Sequence, residues 1–148
     1  MKTLTKTILG LGLTAFACGS FASSDRWERG SVDSSFSPLI RLGLFKNGVG
    51  QLNVGITFPT DTCLTFTQDV IKAPSYKING VSVKMYAQCV GKGLRMDFPA
   101  TDKGKDYVIS ELRAKQSVTY EQEGAEVTFS AVGFIEAMKK VDKSDEGI

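Results

Sequence analysis

The apolar positions of this chain follow two periods, and the change from one to the other divides it. From residue 40 to residue 98 they recur at every second position, the spacing of strands with one covered face. Ile40, Leu42 and Leu44 share one face of a first strand, and Leu52, Val54, Ile56 and Phe58 share one face of the next. Asn47-Gly48 lies between them, and both residue types tolerate the positive φ that a tight hairpin turn needs. Pro59 ends the second strand. Residues 63–67 (CLTFT) predict a short third strand, after which Lys72-Ala73-Pro74-Ser75 breaks the alternation. Residues 76–78 lead through Asn79-Gly80 into a strand that carries Val81, Val83, Met85, Ala87 and Cys89 on one face. Gly91-Lys92-Gly93 then turns the chain into Leu94, Met96 and Phe98, and Pro99 stops it.

Beyond residue 100 the period lengthens to that of a helix. Asp106 predicts an N-cap for a helix with Val108, Ile109 and Leu112 inside, ending near Lys115. Val118 and Tyr120 pair with Val127, Phe129 and Ala131 across a turn at 121–125. Phe134, Ile135, Met138 and Val141 mark a closing helix, whose basic last turn (Lys139, Lys140, Lys143) complements its dipole. The sum is an α+β chain: about seven or eight antiparallel strands in a sheet or small sandwich, with two short helices in the C-terminal half.

The ends read differently. Residues 1–22 have the three parts of a cleavable signal peptide: basic Lys2 and Lys6, the apolar run ILGLGLTAFA, and small residues at Ser20 and Ala22 before a cleavage at Ser23. That run is too short to span a bilayer. A lipoprotein site at Cys18 is disfavoured by Ala15 and the bulky Phe16 before it. Residues 23–37 (SSDRWERGSVDSSFS) are polar and aperiodic, which predicts a flexible lead-in. One domain follows at 38–143, and 144–148 form a frayed tail. The expected location is periplasmic or secreted, in a bacterial envelope.

Removing the signal changes the composition. The whole chain has a formal charge of +2. Lys2 and Lys6 account for it, so the remainder is neutral and offers no electrostatic case for nucleic acid or an anionic membrane. Of three cysteines, Cys63 and Cys89 remain, and an even pair in an exported chain reads as a disulfide. The loop it closes, about 27 residues, is worth roughly 3.5 kcal/mol on the chain-entropy account.

Candidate chemistry is mostly excluded. The chain has no histidine, which removes Ser–His and Cys–His nucleophile pairs and His-ligated metals. Gly43 and Gly48 have the spacing of a P-loop, but Val49 stands where it needs Lys. Carboxylates are the route left: Asp61, Asp69, Asp97, Glu111 or Glu136 could pair for glycoside hydrolysis. The favoured reading is a protein with no catalytic residue, metal or cofactor, acting on a protein partner in the envelope as an inhibitor, immunity or exclusion factor. The alternative is a structural or assembly component of an envelope or secretion complex. The candidate contact residues are Trp27 on the lead-in, Asp102, Lys103 and Lys105 on a loop, and Glu121 and Glu123 on a hairpin tip. For Trp27 the favoured reading of the two is that it folds back to cover an apolar patch.

Overall fold

A computed structural model describes residues 25–143. The expected signal peptide at 1–22 with its cleavage at Ala22–Ser23, Cys18, and the tail at 144–148 lie outside the described residues. Eight strands form one antiparallel sheet: β1 (Ser31–Asp33), β2 (Arg41–Lys46), β3 (Leu52–Pro59), β4 (Ile71–Ile78), β5 (Val81–Gly91), β6 (Leu94–Pro99), β7 (Ser117–Gln122) and β8 (Ala125–Ser130). Two helices complete the chain, α1 (Asp102–Ala114) and α2 (Phe134–Lys143). The α+β expectation holds, as one sheet and not a sandwich.

The strand order is β1-β2-β3-β6-β5-β4-β7-β8, and the sheet curls until its edges almost meet. Ser34 bridges Phe129, and the Ser35 N–H donates to Thr128 O at 2.9 Å. The inner face carries Leu42, Val54, Ile56, Ile78, Val83, Met85, Val118 and Phe129, all buried. Val108 and Leu112 of α1, with Phe134 and Ala137 of α2, join the same core. The periodicity therefore identified most of the inward residues, because one face of nearly every strand is covered.

Five details depart from the sequence reading, each for a local reason. The lead-in at 23–37 is not loose where it is described: it contains β1 and buries Trp27, Val32 and Ser34. Serine side chains tie its backbone down. Ser34 Oγ donates to Ser37 O at 2.7 Å and accepts from Ser37 N–H at 2.9 Å, and Ser37 Oγ accepts from Leu39 N–H. Residues 63–67 form no strand. Asp61–Cys63 is a 3-10 turn, capped by Thr60 Oγ1 accepting from Thr62 N–H, and β6 already occupies the edge of β3 that 63–67 would need.

The expected break at 72–75 is instead a bulge inside β4, between Ala73 and Tyr76. Pro74 fits there because β4 pairs with β7 only at Lys77 and Ile78, so no ladder bond requires its missing N–H. Helix α1 also begins before Asp106. Thr101 is its cap, with Oγ1 accepting from Gly104 N–H at 3.0 Å, so the supposed loop at 102–106 is its first turn.

The face of β6 is inverted as well. Asp97 points inward opposite Ile56 and Ala87 and is fully buried, while Met96 and Phe98 lie on the outer face. Phe98 packs edge-on against Phe45 and Tyr86 there. Gly55 makes this outer layer possible, since a Cβ at that position would stand 2.5 Å from Met96 Cγ. At the Asn79–Gly80 turn the expected positive φ values occur, 47° and 82°.

Cys63 and Cys89 are disulfide-bonded, with Cα atoms 5.6 Å apart. Mass spectrometry of the non-reduced protein should find it lighter than the reduced form by two hydrogens. The double change Cys63→Ser/Cys89→Ser should cost about 2–4 kcal/mol in urea unfolding. Trp27→Ala should cost about 3–5 kcal/mol in the same measurement, as expected for emptying an aromatic site in a packed core.

Candidate functional site

Antiparallel pairing sorts the connections onto two ends. Residues 47–51, 79–80, 100–101, 115–116 and 131–133 lie at one end, where α1 and α2 and the Trp27 segment fill the interior. Residues 34–40, 60–70, 92–93 and 123–124 gather at the other, which the helices leave open. A cavity of about 500 Å³ enters the curled sheet there. Its wall is Ile40 of the β1–β2 loop, Ile56 and Phe58 of β3, Tyr76 of β4, Tyr120 of β7 and Val127 of β8. At its rim Phe36 is 79% exposed and Leu39 65% exposed. The hydrogen-bonded serine turn described above fixes the loop that carries both.

One polar assembly stands beside this apolar wall. Asp97 Oδ2 accepts from the Tyr76 hydroxyl at 2.7 Å. Arg95 donates to the same carboxylate through Nε at 2.7 Å and Nη2 at 3.2 Å, and its guanidinium lies 5.5 Å from the centroid of the Phe58 ring. The buried carboxylate thus has a charged partner and a neutral donor, as a buried charge requires. On the far side of Arg95 a second cleft of about 280 Å³ includes Thr67, Asp69 and the disulfide pair. The disulfide joins the β3–β4 connection to the end of β5, and Gly93 N–H donates to Cys63 O at 2.9 Å. The long loop at 60–70 is therefore fastened at its base beside the mouth.

Tyr120 is the exception to this satisfaction. It is 2% exposed, packs edge-on against Tyr76 and Phe129, and its hydroxyl has no hydrogen-bond partner among the described residues. Burial pushes its phenol well above the ordinary value near 10. Burial does the same to Tyr76, and its hydrogen bond to the Asp97 carboxylate adds to the effect. Both tyrosines stay neutral far into the alkaline range.

The six expected contact residues are not brought together. Trp27 is 4% exposed, with its ring 5.1 Å from that of Phe134 and its Nε1–H donating to Ser130 O at 2.8 Å. It is a core residue, and the fold-back favoured for it is the role it fills. Asp102, Lys103 and Lys105 sit in the first turn of α1, at the closed end. Lys105 is buried there, with Nζ donating to Gln51 Oε1 at 2.7 Å and lying 3.3 Å from Asp102 Oδ1. Glu121 faces Lys77 in the β4–β7 ladder, and Glu123 occupies the exposed β7–β8 turn at the open end.

Of the five acids considered for hydrolysis, Asp97 alone is fully buried, and its oxygens are taken by Arg95 and Tyr76. Glu111 accepts from Tyr107 and Asn79, and Asp61, Asp69 and Glu136 are exposed. Among the described residues no three His, Cys, Asp or Glu side chains cluster to hold a metal ion, and no helix is long and apolar enough to cross a membrane. Tyr76 and Tyr120 were not recognisable as site residues from the alternation, which marks a residue as inward without saying that its neighbours leave a space; Asp97 was among the candidate acids, but the alternation set it on the outer face. Comparison with protein-family models, characterised proteins and solved structures finds no match to this chain.

The two tyrosines give the protein a definite alkaline behaviour. Below about pH 10 the phenols are protonated in both folded and unfolded chains, and their contribution is constant. Above it the unfolded chain loses protons that the folded one keeps, so stability should fall as pH rises, by up to about 1.4 kcal/mol per pH unit for each tyrosine. Urea unfolding between pH 8 and 11 measures this, and Tyr120→Phe should make the decline shallower by one tyrosine's share.

Proposed function

We propose that this chain is an exported binding protein, that it acts by recognition and not by catalysis, and that the open end of the curled sheet is its site. The observation that carries the reading is the apolar cavity of about 500 Å³, with Phe36 and Leu39 exposed at its rim. Its size is that of small-molecule sites, which are apolar pockets with a few placed polar groups. The disulfide supports export, since such bonds persist in oxidising compartments. The fastened loop at 60–70 and the serine turn at 34–37 hold the rim ready, which lowers the entropic cost of binding.

A protein partner in the envelope is the second reading, and the exposed Phe36 side chain favours it. An inhibitor, immunity or exclusion factor would seat its target on this rim, and an assembly component would do the same with a neighbouring subunit. The tip at Glu123 borders the same end; Asp102 and Lys103 do not.

The test uses N-phenyl-1-naphthylamine, an uncharged fluorophore that brightens in apolar surroundings. It should bind the protein with a saturable rise in fluorescence. The paired change Phe36→Glu/Leu39→Glu should weaken it by about tenfold or more, with urea stability unchanged because both side chains are exposed. Absence of saturable binding would overturn the cavity as the site.

A further inference from the structure

We infer that the cavity holds the hydrocarbon chain of an amphiphile and leaves its polar head group outside the mouth. The inference rests on the binding reading above and adds the class of ligand and its orientation. Two observations carry it.

The first is the character of the inner wall. Among the described residues no Asp, Glu, Lys or Arg lines the cavity, and Ile40, Ile56, Phe58 and Val127 supply aliphatic or aromatic surface. The two tyrosines on the wall offer no hydroxyl to a ligand. Tyr76 donates its proton to Asp97 at 2.7 Å, and the Tyr120 hydroxyl is enclosed by its neighbours. The ion pair of Arg95 with Asp97 is closed on itself, and Arg95 lines the neighbouring cleft instead. A charged group carried inside, or a polar one, would leave water without finding a partner, which is unfavourable. A methylene chain meets no such penalty and is stabilised by leaving water.

The second is where the remaining polar side chains lie. Apart from the tyrosines, the polar residues that line the cavity are Ser37 and Gln122. Ser37 belongs to the β1–β2 loop, and Gln122 is the last residue of β7, next to the exposed turn at Glu123, so both stand at the open end. Gln122 donates to Pro74 O across the gap between β7 and β4, and Ser37 Oγ accepts from Leu39 N–H. Polarity is thus confined to the mouth, within reach of water, while the depth is apolar. A molecule with one polar end fits that gradient in a single direction, chain inward and head group outward. Its head group stays solvated, so the sign of its charge has little effect; a polar group at each end would force one of them inside.

Competition against N-phenyl-1-naphthylamine tests this at about 0.15 M salt, where exposed charges are screened. The competitors are decanoate, decyltrimethylammonium and decanedioate: one head group of either sign, or a carboxylate at both ends of the chain. Decanoate and decyltrimethylammonium should displace the fluorophore at concentrations within about threefold of each other. Decanedioate should need at least about tenfold more than decanoate. From hexanoate to decanoate, each added methylene should lower the displacing concentration by about two- to fourfold. Decanedioate as effective as decanoate, no gain with chain length, or a marked preference for one head-group charge would overturn the inference and leave the binding site standing. Failure of the fluorophore to bind would overturn both.

Discussion

The closure of the sheet depends on a segment of the chain that has almost no strand of its own. β1 is three residues long, yet it covers the outer edge of β2 and brings Ser34 and Ser35 against β8. Trp27 sets where this happens. Its N–H donates to Val132 O at 2.8 Å, its indole N–H to Ser130 O, and its ring packs edge-on against Phe134. One side chain therefore joins the N-terminal segment, the end of β8 and the start of α2. The segment it anchors covers both sheet edges, and bare edges are the part of a sheet most open to wrong pairing.

Closure at that end explains the asymmetry of the molecule. Helices α1 and α2 project Val108, Leu112, Phe134 and Ala137 into the interior from the end where Trp27 sits. Neither helix contributes a residue to the cavity at the other end. The opposite end is lined by long inward side chains (Phe58, Tyr76, Tyr120) that narrow the space without closing it. The β4–β7 ladder is only two residue pairs long, so the two strands separate toward the mouth, and Gln122 spans the gap by donating to Pro74 O at 3.2 Å. The cavity is thus a consequence of the topology: a sheet closed at one end by helices and held apart at the other by a bulged strand.

Much of the fold was legible in the sequence because alternation and burial coincide on most strands. Leu42, Val54, Ile56, Val83, Met85, Val118 and Phe129 were inward by period and are inward in space. Two of the misread parts share one cause, that polar groups were satisfied by partners the sequence does not display. Serines 34 and 37 looked like a loose segment until their side chains bonded to the backbone of their own turn. On β6 the alternating apolar side chains Met96 and Phe98 face outward, and the outer cluster of Phe45, Tyr86 and Phe98 mimics a core. Which face turned inward was decided by Asp97 finding Arg95 and Tyr76, residues two and twenty-one positions away. The Cys63–Cys89 pairing needed no such information, because the described residues hold only these two cysteines.

The site was the least legible part, and the reason is physical. A cavity is defined by what surrounding side chains fail to fill, and no pattern along one strand records that. Its chemistry follows from a division of labour among three neighbouring polar residues. Arg95 neutralises Asp97, Asp97 holds the proton of Tyr76, and this closed set makes a buried carboxylate tolerable at the edge of an apolar space. Because all three are committed to one another, none offers charge to a ligand. Tyr120, on the strand across the gap from β4, is buried with its hydroxyl unpaired among the described residues, so it too offers no charge at the cavity surface.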